Sequence, residues 1–440
     1  MNELLRVYGE MFQIIAPLAL WGLSLACLFA VTIPWALCKD TIQESQVAGH
    51  IEDGLKKCIF VGPLPNISNT NSAPWLVLWT LAGMWHNFLP VLVVHTLLDK
   101  ELVWETKQLW VYLTSGVGMV LLTVLLPTLM DKDLSSFAFI LPLVGLASST
   151  AGYSGINVAK LCNGDKTMIP AWAGSWGLAL GASHIFPLLV RRVVTVGASK
   201  LELFVLLFVV HPFVWNSLLC YYRHNARCIG AARGLYHSVS FLYLYLMKAL
   251  YGWFLLFQLG SSLGSTKAIV GILVAKRLVG RVGSRSKDTW LLKLLYHRRT
   301  TEAILARQEE NHLVLADTVA SMIAEHTGIL VSGAIISVAN MHDVSGASPS
   351  HVDLWTTCIL AHLVTILEGY LTLSIDSAVH QMDVSSLWRR DYTAKLVKVM
   401  LLVVAFTGMD VIFRVFGLMC SRSTEENDTI LEFCPTASLF

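Results

Sequence analysis

The chain has 440 residues, of which 55% are hydrophobic and 14% charged, and its mean hydropathy is +0.61. An ordinary soluble domain carries about 25% charged residues, so this surface is not built mainly for water, and the short connectors leave no space for a separate soluble domain. With 32 basic against 30 acidic residues the net charge is +2, which excludes a global footprint for nucleic acid.

These numbers predict an all-α fold, a polytopic transmembrane helix bundle of about 10–11 spans, each of about 20 residues. Helices are the form expected, because an open strand in lipid leaves backbone groups unpaired. In chain order the apolar runs place helices near 11–38, 75–98, 108–130, 135–157, 170–190, 201–222 and 236–260. Three more follow near 318–340, 352–376 and 395–420. The first run is too long for the apolar core of a cleaved signal and reads as a signal-anchor helix. Prolines inside the runs, among them Pro17, Pro187 and Pro212, are expected to kink or end helices rather than abolish them. The organisation is therefore about seven spans over 1–260, a connecting region over 261–317, and three spans with a short polar tail over 318–440.

The connecting region opens with 261–280, where Lys267 and Lys276 leave too short an apolar run for a plain span. Sequons at Asn66 and Asn427 are candidate glycosylation sites, and an acceptor asparagine must lie on the lumenal side. Both can be lumenal only if an even number of spans separates them, which requires 261–280 to cross or dip back as a tenth. The positive-inside rule agrees: Arg223, Arg227, Arg233, the basic stretch Lys276 to Arg307, Arg389 and Arg390 then face the cytosol. Cys38 and Cys58 become lumenal and can pair. The polar stretch 281–317 reads either as a basic amphipathic segment on an anionic leaflet or as a solvated helical linker. Two sequons also imply a glycoprotein of the endomembrane system, the endoplasmic reticulum ahead of the plasma membrane.

Residues that chemistry could use are few. A charge near the bilayer centre costs roughly 2.5–3.5 kcal/mol on insertion scales, so such groups face a cavity or a partner. Asp317, Ser321, Glu325, Gly328 and Ser332 fall on one helical face, a polar stripe that should turn inward, with His326 on the neighbouring face. The next helix carries His362 and Glu368, six residues apart and on different faces, and Asp376, which His380 can serve locally. Asp410 has Arg414 one turn later. Lys248 lies mid-run and wants an acid, with Glu368 and Glu325 as candidates. The candidate catalytic residues are Glu368, Glu325 and His362.

Two classes of function fit these residues. A membrane-embedded enzyme would use a buried, protonated carboxylic acid on a lipophilic substrate such as an isoprenoid or acyl lipid, since burial raises a carboxyl pKa toward the range of a general acid. A proton-coupled transporter would use the same groups as a relay, and a non-catalytic membrane scaffold is the third alternative. Crowding of the carboxylates into the last third of the chain tilts the reading toward the enzyme. Expected partners are the lipid bilayer and a lipophilic small molecule or proton-coupled solute. No cofactor is expected: the nine cysteines form no CxxC pair, and His211 with His224 lacks the second histidine pair that bis-imidazole haem would need.

Overall fold

The computed structural model describes residues 2–47 (side chains through Leu28), 85, 88–94, 96–97, 117–118, 150–162, 164–195, 200–229, 235–259, 270–271, 274–275, 278–279, 281–282, 310–341, 351–391 and 396–411. Among the described residues there is no strand. The helices are α1 (Asn2–Val47), α2 (Met168–Thr195), α3 (Lys200–Val205), α4 (His211–Ile229), α5 (His237–Leu259), α6 (Glu310–Met341), α7 (His351–Ala378) and α8 (Val384–Asp391). Residues 88–94, 150–161 and 396–411 are helical as well. Five segments are long and apolar enough to cross a membrane: Glu3–Leu28, Leu201–Ile229, His237–Phe257, Asn311–Ser337 and Asp353–Ala378. The chain is an all-helical integral membrane protein. Most of the expected run 108–130 lies outside the described residues, as do both sequons, Cys58, Arg414 and the side chain of Cys38.

Proline shapes α4 as its chemistry requires. Pro212 has no N–H to return to the preceding turn, and the chain accommodates it with a π-helical turn at Leu206–Val210, closed by the His211 N–H on the Leu206 carbonyl. Such one-turn π bulges insert into an otherwise continuous helix, so 200–229 remains one rod. Pro187 stays inside α2.

Two helices form the core. In α5 and α6, 89% of the most apolar window is buried, against 33% in α1 and 28% in α7. The peripheral helices show why: Ile359, Leu363, Leu367 and Leu371 are exposed every fourth residue on α7, and Leu201, Phe204, Val209 and Phe213 are exposed along α3–α4. Rows of exposed leucine and phenylalanine at helical spacing face lipid. Phe186 packs against His211, Trp215 and Tyr251, which ties α2 to α4 and α5.

Contacts fix the helix directions. Tyr245 meets Asp317 and Trp253 meets Glu325, so α5 and α6 run parallel. Arg223 meets Tyr245 while His211 meets Lys248, so α4 is antiparallel to α5. Thr318 meets Asp376 while His326 meets His362, so α7 is antiparallel to α6. We refer to the end where α5 and α6 begin as the proximal face.

The α5–α6 seam depends on Gly328. A β-carbon there would meet the Ala249 β-carbon at 2.9 Å, the Ala249 backbone at 3.0 Å and Trp253 at 3.1 Å. Gly328→Ala is expected to cost about 1–3 kcal/mol through overpacking, whereas Gly181→Ala on α2, where nothing lies within 4 Å, should be neutral or stabilising. Thermal unfolding of the two variants in detergent checks the contrast.

Candidate functional site

The polar stripe of α6 faces α5. Helix α6 begins at Glu310, earlier than the apolar run suggests, which carries Glu325 fully into the bundle at 7% exposure. The Trp253 indole N–H donates to the Glu325 Oε2 at 2.8 Å. One turn on, Gly328 lies against Ala249, and the Ser332 hydroxyl donates to the Leu250 carbonyl at 3.0 Å.

The neighbouring face of α6 meets α7. His326 and His362 stack with ring centroids 5.2 Å apart and planes 3° from parallel, and their Nδ1 atoms are 3.0 Å apart. At that distance one Nδ1 must donate and the other accept. Two imidazolium rings would offer no acceptor, and two rings protonated only at Nε2 would offer no donor. The hydrogen bond between the two helices thus requires one ring to carry its proton on Nδ1 and the other to leave Nδ1 free. Phe12 of α1 lies edge-on to His326 at 5.7 Å.

One to two turns toward the proximal face, α1 completes this junction. The Tyr8 hydroxyl donates to the Ile366 carbonyl at 2.7 Å, and it lies 2.9 Å from where a β-carbon on Gly369 would stand. Glu368, half-buried, is within electrostatic reach of Tyr8. Of the three candidate catalytic residues, His362 and Glu368 border the α1/α6/α7 junction, while Glu325 points away to α5. A void of about 10 Å³ nearby, lined by Met11, Val319, Trp388, Met400 and other apolar side chains, is too small for more than a water.

A second polar cluster closes the proximal face. Arg223 grips Asp317 with two nitrogens, at 3.1 and 2.9 Å. The Tyr245 hydroxyl accepts from Arg223 at 3.0 Å and donates to Asp317 at 2.9 Å. Arg281 grips Asp376 at 2.8 and 2.6 Å, donates to the Thr318 hydroxyl, and lies 3.9 Å from Asp317. Asp376 is fully buried. The expected local service of Asp376 by His380 is thus replaced: Arg281 supplies the guanidinium, and the His380 ring meets the Arg281 carbonyl at 3.2 Å. A planar fork matching a carboxylate satisfies both oxygens at once, which a single imidazole cannot.

The Lys248 ammonium donates to the Asn216 side chain at 3.0 Å and lies over the Tyr245 ring. His211 spends its Nε2 on the Lys248 carbonyl at 2.8 Å. Outside the membrane spans, burial pushes the Cys162 thiol up to about 11, with Cys228 and Asp165 adding to the shift, which keeps it protonated. Among the described residues no group of three or more His, Cys, Asp or Glu side chains could hold a metal ion. Sequence reasoning missed Tyr8 and the roles of Arg223 and Arg281; the only signal was that Asp317 and Asp376 each needed a cation.

Trp253→Phe is expected to destabilise the protein by about 1–3 kcal/mol, the cost of leaving a buried acceptor short of a donor, as read by thermal unfolding in detergent. No protein-family model matches the chain, and no curated protein or solved structure is significantly similar to it, so a functional reading rests on these geometries.

Proposed function

We propose that the protein is a proton-coupled transporter whose relay is the His326–His362 pair with Glu368 beside it. The observation that carries this reading is the 3.0 Å approach of the two Nδ1 atoms between α6 and α7: a proton on either Nδ1 bridges the helices, and a change in how they meet changes which ring holds it. Glu368 lies six residues from His362 on α7, about 9 Å nearer the proximal face, and is within electrostatic reach of Tyr8. Proton-carrying side chains at membrane depth mark relays in pumps and transporters.

The layout belongs to the same proposal. Because α5 and α6 are parallel, the chain must return between them, and Arg281 is already back at the proximal face beside Asp317 and Asp376. The helical residues described between 270 and 282 belong to that return. Buried or half-buried Val270, Val274, Leu278 and Arg281 alternate with exposed Gly271, Ala275, Val279 and Val282, as one lipid-facing stripe requires. The proximal face is then cytosolic, with Arg223, Arg227 and Arg281 on it.

A second reading, an enzyme acting on a lipophilic substrate, is favoured by one observation. Glu368 is half-buried beside the lipid-facing row Leu363, Leu367 and Leu371, so a bilayer-dissolved molecule can approach it sideways.

Purified protein in vesicles, energised by a pH gradient and supplied with a small-molecule filtrate of cells, separates the two. Solute-dependent proton uptake is expected, falling about tenfold, a loss of about 1.4 kcal/mol, in His362→Gln and Glu368→Gln at unchanged folded yield. A new lipid product lost in Glu368→Gln, with no proton uptake by the parent, would establish the enzyme instead. Neither activity in the parent protein would overturn both.

A further inference from the structure

We propose that Arg223, Asp317, Arg281 and Asp376 form the gate over the α1/α6/α7 junction, a charge-balanced latch at the proximal face that parts to admit water and solute. The proposal rests on the transport reading for its purpose, and on geometry for its existence. Each bond in the latch joins different elements: Arg223 joins α4 to α6, Arg281 joins the segment before the connector to α7, and the 3.9 Å approach of Arg281 to Asp317 links the two pairs. Tyr245 brings in α5, and Thr318 sits between Arg281 and Asp376. Among the described residues, Lys248, over the Tyr245 ring, and His380, on the Arg281 carbonyl, are titratable groups packed against it.

Three features make this a seam that opens rather than a fixed part of the core. Two guanidinium and two carboxylate groups balance, so no net charge is stranded when they separate. Both arginines keep an exposed edge, at 23% and 14% of the side chain, so water at the aqueous face can solvate the groups as they part. The partners differ in burial: 89% of the most apolar window of α6 is buried, whereas α7 is lipid-facing along one side and is packed closely on α6 through Gly333 and Cys358, on the distal side of the histidines. Movement of α7 away from α6 breaks the Arg281–Asp317 approach and the Thr318 contact, and it exposes the path down to His362 and His326.

The test is accessibility of Met322→Cys, one turn below Thr318 and packed against Gly369 of α7, to a membrane-impermeant maleimide from the proximal face, read at that peptide by mass spectrometry. In the otherwise unaltered protein labelling should be slow. In Arg281→Gln/Asp376→Asn it should be about tenfold faster, the shift in open population produced by about 1.4 kcal/mol. Arg223→Gln/Asp317→Asn opens the α4–α6 side and serves as the second variant if the first does not fold. Equal labelling of the neutralised and unaltered proteins would overturn the gate. Because this readout needs no transported solute, a latch that behaves as expected in a protein without proton uptake would sink the transport reading alone.

Discussion

Every polar group that enters the hydrocarbon layer must find its partner inside the protein, and helix α6 is where that constraint is heaviest. It carries Asp317, Thr318, Glu325, His326 and Ser332 through the bundle, all buried. Each meets a different neighbour: Arg223 and Tyr245 for Asp317, Arg281 for Thr318, Trp253 for Glu325, His362 for His326, and the Leu250 carbonyl for Ser332. The arrangement of α4, α5 and α7 around α6 follows from these pairings as much as from apolar packing. Interhelical hydrogen bonds in membranes are modest singly, on the order of 0.6 kcal/mol in measured cases, but they specify register and rotation that leucine against lipid cannot.

The same constraint divides the helix by role. Its α5 side is built for permanence: glycine against alanine, an indole on a carboxylate, and a hydroxyl on a backbone carbonyl. Its α7 side carries the stacked imidazoles and the Thr318 contact to the Arg281–Asp376 pair. On the transport reading proposed above, the first surface is the fixed one and the second the one that moves.

The sequence foretold the fixed side better than the mobile one. The stripe Asp317, Glu325, Gly328, Ser332 is a matter of helical spacing alone, and the structure turns it inward against α5. Direction of packing is a local property. The partners were not legible in the same way, because they depend on which helices become neighbours. Asp376 has His380 one turn later, yet takes Arg281, 95 residues away. His362 shows no local partner because its partner is His326 on another helix. Tyr8 gave no signal at all: a tyrosine near the start of an apolar run looks like an interfacial residue, and only the position of α1 against α7 brings its hydroxyl to Ile366.

The central claim is that His326 and His362 share one Nδ1 proton inside the membrane. Nitrogen-15 NMR of histidine-labelled protein in bilayers, with His362→Gln to assign the signals, tests it most directly. The account predicts a coupled pair in which one Nδ1 carries the proton and the other accepts it, with the His326 signal changing when His362 is replaced. Two rings each protonated only at Nε2, and a His326 signal indifferent to His362→Gln, would contradict it.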